Sequence, residues 1–480
     1  MGRPPIDRRP NEMLAHWLTR AGMSNVELAR EVTRRAAARG ERGIGTDESR
    51  VRRWRAGETP RGAIPQIIAE ILGERLGLPL TCPDIGLPSP GASPLAVTPD
   101  LPWRSSTTID AFAHLIRSEI MQPHTRNSAD AARVHTGERL LSPLQQWTSA
   151  APTPLLDEME PPRTPRSGRI GMTEVEGIRA VTATFRDVDN RHGGALSRKA
   201  VMAQIGDALA MLDNCTFSEA TGRALFSAIA DLGSVAGWMS FDSGRHESAQ
   251  RTFVVALHAA AEGGDKALGA HILQCMARQM SHLEHYDDAL DLIALAQYGA
   301  RRQMSPATTS MLASLEARFH AILGALDESE QAAGRAEDAF TRIHADEEPF
   351  HMAFYDAAEM SATLGVAHQI AAKKSEGAHR ARRAEKSLLL MDQALGLRPE
   401  HRVRSKAFDH LGLARTHLAV GELHGAQLET SKALALFGTI SSRRVADRLI
   451  ELHDEAGQFA NSSPAAELRQ QIGQAVPTPG

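Results

Sequence analysis

Three groups of side chains in this 480-residue chain stand at spacings that invite chemistry. His271 and Cys275 are four apart, and His282 and His285 three apart. On a helix each spacing puts two side chains on one face, as a metal site or a thiol with its base would need. A structural zinc site takes four ligands, however, and no Asn, Asp or oxyanion donor can be identified to complete a Cys–His nucleophile. Phosphate-cradling loops are missing too: Gly40-Glu41-Arg42-Gly43-Ile44-Gly45 has neither the G-x-x-x-x-G-K-S/T nor the G-x-G-x-x-G spacing, and no H-E-x-x-H or G-x-S-x-G occurs. The expectation is a protein that is not an enzyme and uses no metal or cofactor. The third group is basic: Arg50, Arg52, Arg53 and Arg55 crowd one short segment, and Arg suits phosphate oxygens and guanine edges.

Charge is distributed to match. Residues 1–80 carry 15 Arg and no Lys against 10 acidic residues, a balance of +5, while the whole chain is at −4. A small basic head on an acidic body confines any nucleic-acid contact to the head. With 42% apolar but only 4% aromatic residues, the composition favours closely packed helices over sheets. Cys82, Cys215 and Cys275 are too scattered for a disulfide framework and fit a reducing cytoplasm. No signal-peptide pattern and no apolar run near the roughly 20 residues of a membrane helix stand out, so a cytoplasmic, nucleoid-associated protein without a membrane partner is expected.

Four helices can be read over residues 10–80. Leu14, Trp17 and Leu18 share one face of the first. Ser24-Asn25-Val26-Glu27 has capping-box spacing and opens a second, with Leu28, Ala29 and Val32 inward. After the Gly-rich stretch Gly40–Gly45, Thr46 or Asp47 caps a third that turns Val51 and Trp54 inward and Glu48, Ser49, Arg52 and Arg53 outward. Pro65 opens a fourth, with Ile68, Ile71, Leu72 and Leu76 inward. The outward side chains suit base edges in a major groove, and Arg50, Arg55, Ser24 and Asn25 suit the flanking phosphates. The bland alternative is a solvated face of an ordinary bundle.

Gly22-Met23-Ser24-x-x-Glu27-Leu28-Ala29, Val51-x-x-Trp54-x-x-Gly57 and the closing Ile/Leu helix make this region resemble the lambda-repressor-like helix-turn-helix family of the xenobiotic-response-element type. About a dozen extra residues, Arg35–Thr46, replace that family's tight turn, so a tilted or displaced recognition helix is expected.

Residues 81–170 read as two Pro-rich linkers (Pro79 to Pro102, and Pro152 to Pro165) flanking short helices near Ile109–Met121 and Gly137–Thr148. Residues 171–475 hold internal repeats. Gly244-Arg245-His246-Glu247-Ser248-Ala249, Glu284-His285-Tyr286-Asp287-Asp288-Ala289 and Gly421-Glu422-Leu423-His424-Gly425-Ala426 each mark a turn and a second helix. Ser329 continues the 40-residue period, and a further unit near Phe354 is lengthened by Lys373–Arg383. Large apolar Phe253 and Ile293 come four residues beyond Ala249 and Ala289, and Ala236-Gly237 and Met276-Ala277 recur in the second half of the first helices. These features resemble degenerate tetratricopeptide repeats, which stack into a solenoid with a concave groove. The fold class read here is all-α, a helix-turn-helix domain linked to such a solenoid.

In such repeats the first helix lines the groove, which places Trp238, Arg278, Arg318 and Arg415 on it, with Ser234 and Gln274 one turn earlier. An Arg ladder there suits an acidic small-molecule or peptide effector. The alternative is that each Arg pairs with a carboxylate inside the solenoid. Ala236-Gly237-Trp238-Met239, Gly264-Asp265-x-Ala267-Leu268-Gly269-Ala270-His271 and Gly412-Leu413-Ala414-Arg415-Thr416-His417 extend the resemblance to nearly the full chain. It is similar to actinobacterial regulators that join a repressor-like head to a tetratricopeptide-like body, typified by negative regulators of streptomycete differentiation. That resemblance implies a DNA-binding regulator, a repressor of development or antibiotic production, binding double-stranded DNA as a homodimer. The rival reading is a scaffold that docks a partner protein in the groove, with a vestigial head.

Overall fold

The computed structural model describes residues 10–39, 45–58, 60, 63–78, 80–87, 97–121, 134–152, 168–194 and 197–476, in two compact units, Met1–Ala96 and Val97–Gly480. Residues 40–44 of the glycine-rich stretch, Pro79, Pro88, Pro90, Pro94 and the prolines from Pro154 to Pro165 lie outside the described residues. Among the described residues regular structure is helical, apart from a two-residue parallel pairing of Gly168-Arg169 with Cys215-Thr216. The chain is all-α.

In the first unit the helices are α1 (Glu12–Arg20), α2 (Asn25–Ala38), α3 (Glu48–Arg55) and α4 (Ile64–Leu76). Side chains that satisfy orphan backbone donors fix where they begin. Asn11 Oδ1 accepts from Leu14 N at 2.9 Å, Asp47 Oδ1 from Arg50 N at 2.8 Å, and Ser24 and Glu27 form the reciprocal capping box. Leu14, Leu28, Val32, Val51, Trp54, Ile68 and Leu72 close the core, and a buried aliphatic side chain of this kind contributes about 1.5–3 kcal/mol. Ile85 and Leu87 join that core, while Trp17 Nε1 donates to Asp84 O at 2.8 Å. The unit therefore runs past residue 80, the end expected from the sequence.

The second unit opens with α5 (Ser105–Met121), α6 (Glu138–Gln145), α7 (Met172–His192) and α8 (Arg198–Asn214). Six helical hairpins follow: α9 (Glu219–Asp242) with α10 (His246–Glu262), α11 (Lys266–His282) with α12 (Tyr286–Ala300), and α13 (Pro306–Leu323) with α14 (Leu326–Phe340). Then come α15 (Ala357–Lys373) with α16 (Gly377–Leu397), α17 (Val403–Val420) with α18 (Leu423–Phe437), and α19 (Arg443–Ala456) with α20 (Ser463–Ala475). Four hairpin turns share one device. Gly244, Gly324 and Gly421 adopt φ of 75°, 86° and 81°, and Glu284 adopts 65° at the equivalent place. The next residue's N–H then reaches five back: Arg245 to Ser240 O, Ala325 to His320 O, Glu422 to His417 O and His285 to Met280 O, at 2.9–3.0 Å. This is a Schellman closure, which leaves no helix-end carbonyl stranded. Helices then cross closely where a side chain is missing: a Cβ on Gly237 would come within 2.5 Å of the Phe253 ring.

Four expectations change. The segment Lys373–Arg383 is not looped out; it is the end of α15, a short turn and the start of the 21-residue α16. The two short helices are not linker elements, because they pack on the hairpins: Phe112 is fully buried near Gly233, and Trp147 is fully buried over Gly269 and Gly299. Among the described residues one helix, α9, is long and apolar enough to cross a membrane, but 83% of its apolar window is buried inside the unit, as befits a core helix. Finally, the two ends of the concave face are tied together. Arg404 of α17 donates to Asp189 of α7 at 2.7 Å and to Asp242 of α9 at 3.0 Å, across 215 and 162 residues of sequence. Ser442 Oγ adds a bond to Asp242 at 2.9 Å, and His282 Nε2 lies 3.2 Å from Asp447. The two ends of the array meet, and the curve closes into a ring.

Candidate functional site

The concave face holds a partly open cavity of about 240 Å³, walled by the inner faces of α7, α9, α11, α13, α15, α17 and α19 and by Phe354 and Arg398 between them. Ser234, Trp238, Gln274, Arg278, Arg318 and Arg415 all line it. The repeat register brings them together, since each follows the small crossing residue of an inner helix or stands one turn before it.

Their partners separate them. Arg278 donates to Gln274 Oε1 at 2.9 Å and lies 3.4 Å from Glu359, and Arg415 bonds Glu455 at 3.0 Å and Glu451 at 3.1 Å. Ser234 Oγ is turned to the Asp231 carbonyl at 2.7 Å. Internal pairing thus accounts for two of the three arginines in the ladder. Arg318 differs: it makes no ion pair among the described residues, and its buried Nε has no acceptor. Burial, then Arg448, Arg278, Arg444 and Arg415 around it, pull its guanidinium pKa down to about 9.

The sequence reading missed most of the remaining charge. Arg186 pairs with Asp231, Arg398 with Asp409 at 2.9 Å and Glu359 at 3.0 Å, and Arg448 with Glu451. Arg444 lies 3.5 Å from Asp242, its guanidinium 4.7–5.0 Å from the ring centres of Trp238, Phe241 and Phe408. Arg402 also lines the cavity with a buried, unaccepted Nε. Burial opposes the charge on Glu359, but Arg398 and Arg278 overcome it and hold that carboxyl at about 2. The spacings Arg398-x-x-x-Arg402-x-Arg404 and Arg444-x-x-x-Arg448 were visible signals, but neither says which residues they face.

The cysteine and histidine pairs do not form reactive sites. Cys275 Sγ is 3.9 Å from His271 Nε2, yet burial pushes the thiol up to about 12 and holds His271 well below its ordinary value, so neither is charged near neutrality. His282 ends α11 while His285 caps α12 beyond the turn, so the pair does not share a helical face. Among the described residues no three His, Cys, Asp or Glu side chains cluster as a metal site would require.

In the first unit, Ser49, Arg50, Arg52, Arg53 and Arg55 of α3 are exposed and Glu48 partly so. Arg52 pairs with Glu48 at 2.6 Å, Arg53 lies 3.7 Å from Glu58, and Arg50 donates to the Gly45 carbonyl at 2.6 Å. Arg55 reaches Asn25 Oδ1 at 3.2 Å, joining the end of α3 to the start of α2, and Ser24 is committed to its cap. The extra residues before α3 are anchored at both ends. Arg35 bonds Glu74 of α4 at 2.5 and 2.8 Å, Arg39 pairs with Glu70, and Thr46 N and Thr33 Oγ1 bond at 3.0 Å. Exposed pairs of this kind contribute about 0–1 kcal/mol, so their arginines exchange partners readily.

A family model described as the SP15 N-terminal domain matches residues 14–88, the four helices and the segment that joins their core. No curated protein and no solved structure matches the chain.

Proposed function

We propose that the chain is a sequence-specific DNA-binding transcription regulator, in which the first unit is an expanded helix-turn-helix reader and the hairpin ring is a sensor and dimerisation body. The observation that carries this reading is α3. Four arginines stand on one capped helix, in weak surface pairs, within residues 1–80 at +5 in a chain at −4. Such a helix trades carboxylates for phosphates and base edges at little cost, whereas a purely structural bundle has no use for it. The anchors Arg35–Glu74 and Thr33–Thr46 support a defined position for α3 despite the lengthened connection. Repression of development or antibiotic production, a homodimer on paired half-sites and a cytoplasmic site of action belong to the same proposal.

Mobility-shift assays on genomic fragments test this. The full chain is expected to retard a defined fragment, and Arg52→Ala with Arg53→Ala to abolish that retardation. Binding that falls steeply with salt but prefers no sequence would reduce the head to a phosphate contact and overturn the reading.

A further inference from the structure

The cavity wall carries nine arginines, and the carboxylates that pair with them number seven. Among the described residues the arginines left over are Arg318 and Arg402, each with a buried Nε that meets no acceptor. Both side chains are half-buried, and a guanidinium whose Nε meets neither water nor an acceptor forfeits part of its hydration without return. Here that cost falls on the wall of a partly open cavity, and four more arginines repel Arg318 from around it. Two of them, Arg278 and Arg415, are held by their own carboxylates, so they set the potential without offering a vacant face.

The rest of the wall describes the occupant. Trp238, Phe319, Phe354, Phe408, Val366 and Leu411 present apolar surface beside the arginines. A volume of about 240 Å³ lies just under the range of roughly 300–1,000 Å³ usual for drug-sized ligands.

We propose that this chamber binds a small organic anion, a carboxylate or phosphate ester on a compact aromatic or aliphatic body, with Arg318 as its principal charge contact and Arg402 as a second. Arg278 and Arg415 are positioning residues that focus the field on that point. The proposal names the effector class for the sensor body and rests on the regulatory reading above only for the meaning of binding, not for its occurrence.

Thermal melting and titration calorimetry of the full chain test it, with phenyl phosphate, benzoate, inorganic phosphate and the neutral benzyl alcohol as probes. Phenyl phosphate or benzoate is expected to raise the melting temperature saturably, by at least about 1–2 °C, with benzyl alcohol inert. The stronger of the two anions identifies the head group. Arg318→Met should abolish the response and, by removing an uncompensated charge, melt higher than the ligand-free wild type. A melting temperature indifferent to all four probes, or an Arg318→Met protein that melts lower than wild type, overturns the proposal. Mobility shifts on the same preparations keep the two readings apart. Anion stabilisation without specific DNA binding leaves the chamber and removes the regulator, and specific DNA binding without anion stabilisation does the reverse.

Discussion

In the first unit the arginines of α3 stand in water: the side chains of Arg52 and Arg53 are 70% and 56% exposed, and their partners Glu48 and Glu58 are 41% and 36% exposed. In the second unit Arg404 is 8% exposed and sits between Asp189 and Asp242, which are 6% and 0% exposed. One residue type therefore works under two dielectric regimes. On the surface, hydration and salt screen each pair, so the charge contributes little to folding and is free to meet an external polyanion. In the interior, each charge needs a partner supplied by the fold, and the pairings decide which helices close the ring. Between the two regimes stand the half-buried Arg318 and Arg402, which have no ion-pair partner among the described residues.

The largest effect expected from this contrast is at the clasp. Arg404→Met strands the buried Asp189 and takes one of two ion-pair partners from Asp242, and should cost about 3–5 kcal/mol, seen as a lower calorimetric transition for the body. Hydrogen exchange should show faster opening in α7, α9 and α17 and no change in α1 to α4. Equal loosening of both units would break the distinction.

Acid should separate the units next. Burial holds His246 and His368 at about 4 and His258 at about 3, against 6.5 for a free histidine. An unfolded chain takes up these protons below pH 6.5, while the folded body refuses them until about pH 4, so stability falls as pH drops through that window. Asp409, raised to about 6 by burial despite Arg398, acts in the opposite sense, as do Asp189 and Asp291, also raised by burial, but His271, His351 and His114, lowered by burial, add to the histidine side. The single histidine of the first unit, His16, is exposed. Hydrogen exchange at pH 7 and pH 5 should therefore show the body loosening while α1 to α4 keep their protection. A head that loosened first would count against this.

A smaller effect, of opposite sign, is expected at the one hairpin turn without glycine. Glu284 holds φ of 65° where its counterparts are glycine, a conformation that costs a side-chain-bearing residue about 1–2 kcal/mol. Glu284→Gly should raise the urea midpoint of the body, and a fall would mean that the carboxylate does more than occupy the turn. The smallest effect on stability belongs to Arg52→Ala and Arg53→Ala, for which a melting temperature within about 1 °C of wild type is expected.

Much of this was legible in the sequence where the cause is local. Ser24 with Glu27, Asp47 before α3 and the glycine turns at 244, 324 and 421 act within one helical turn, and the periodic small residues at 236–237 and 413–414 set the inner face that carries Arg278, Arg318 and Arg415. What the sequence hid is non-local. Nothing near Arg404 indicates that its acceptors lie 162 and 215 residues earlier, so ring closure stayed out of sight, and with it which arginines are neutralised. The docking of Trp147 over Gly269 and Gly299 was hidden for the same reason, since prolines around a short helix suggest a linker until its apolar face finds a partner. His282 and His285 misled because helical spacing holds only while the helix lasts.

The most direct test of a reader on the surface and a sensor within is selection of bound duplexes from a random pool by the full chain. The account predicts one enriched motif for wild type, retained by Arg318→Met and lost by the Arg52→Ala, Arg53→Ala double variant at unchanged melting temperature. No motif for wild type, or the same motif from the double variant, would contradict it.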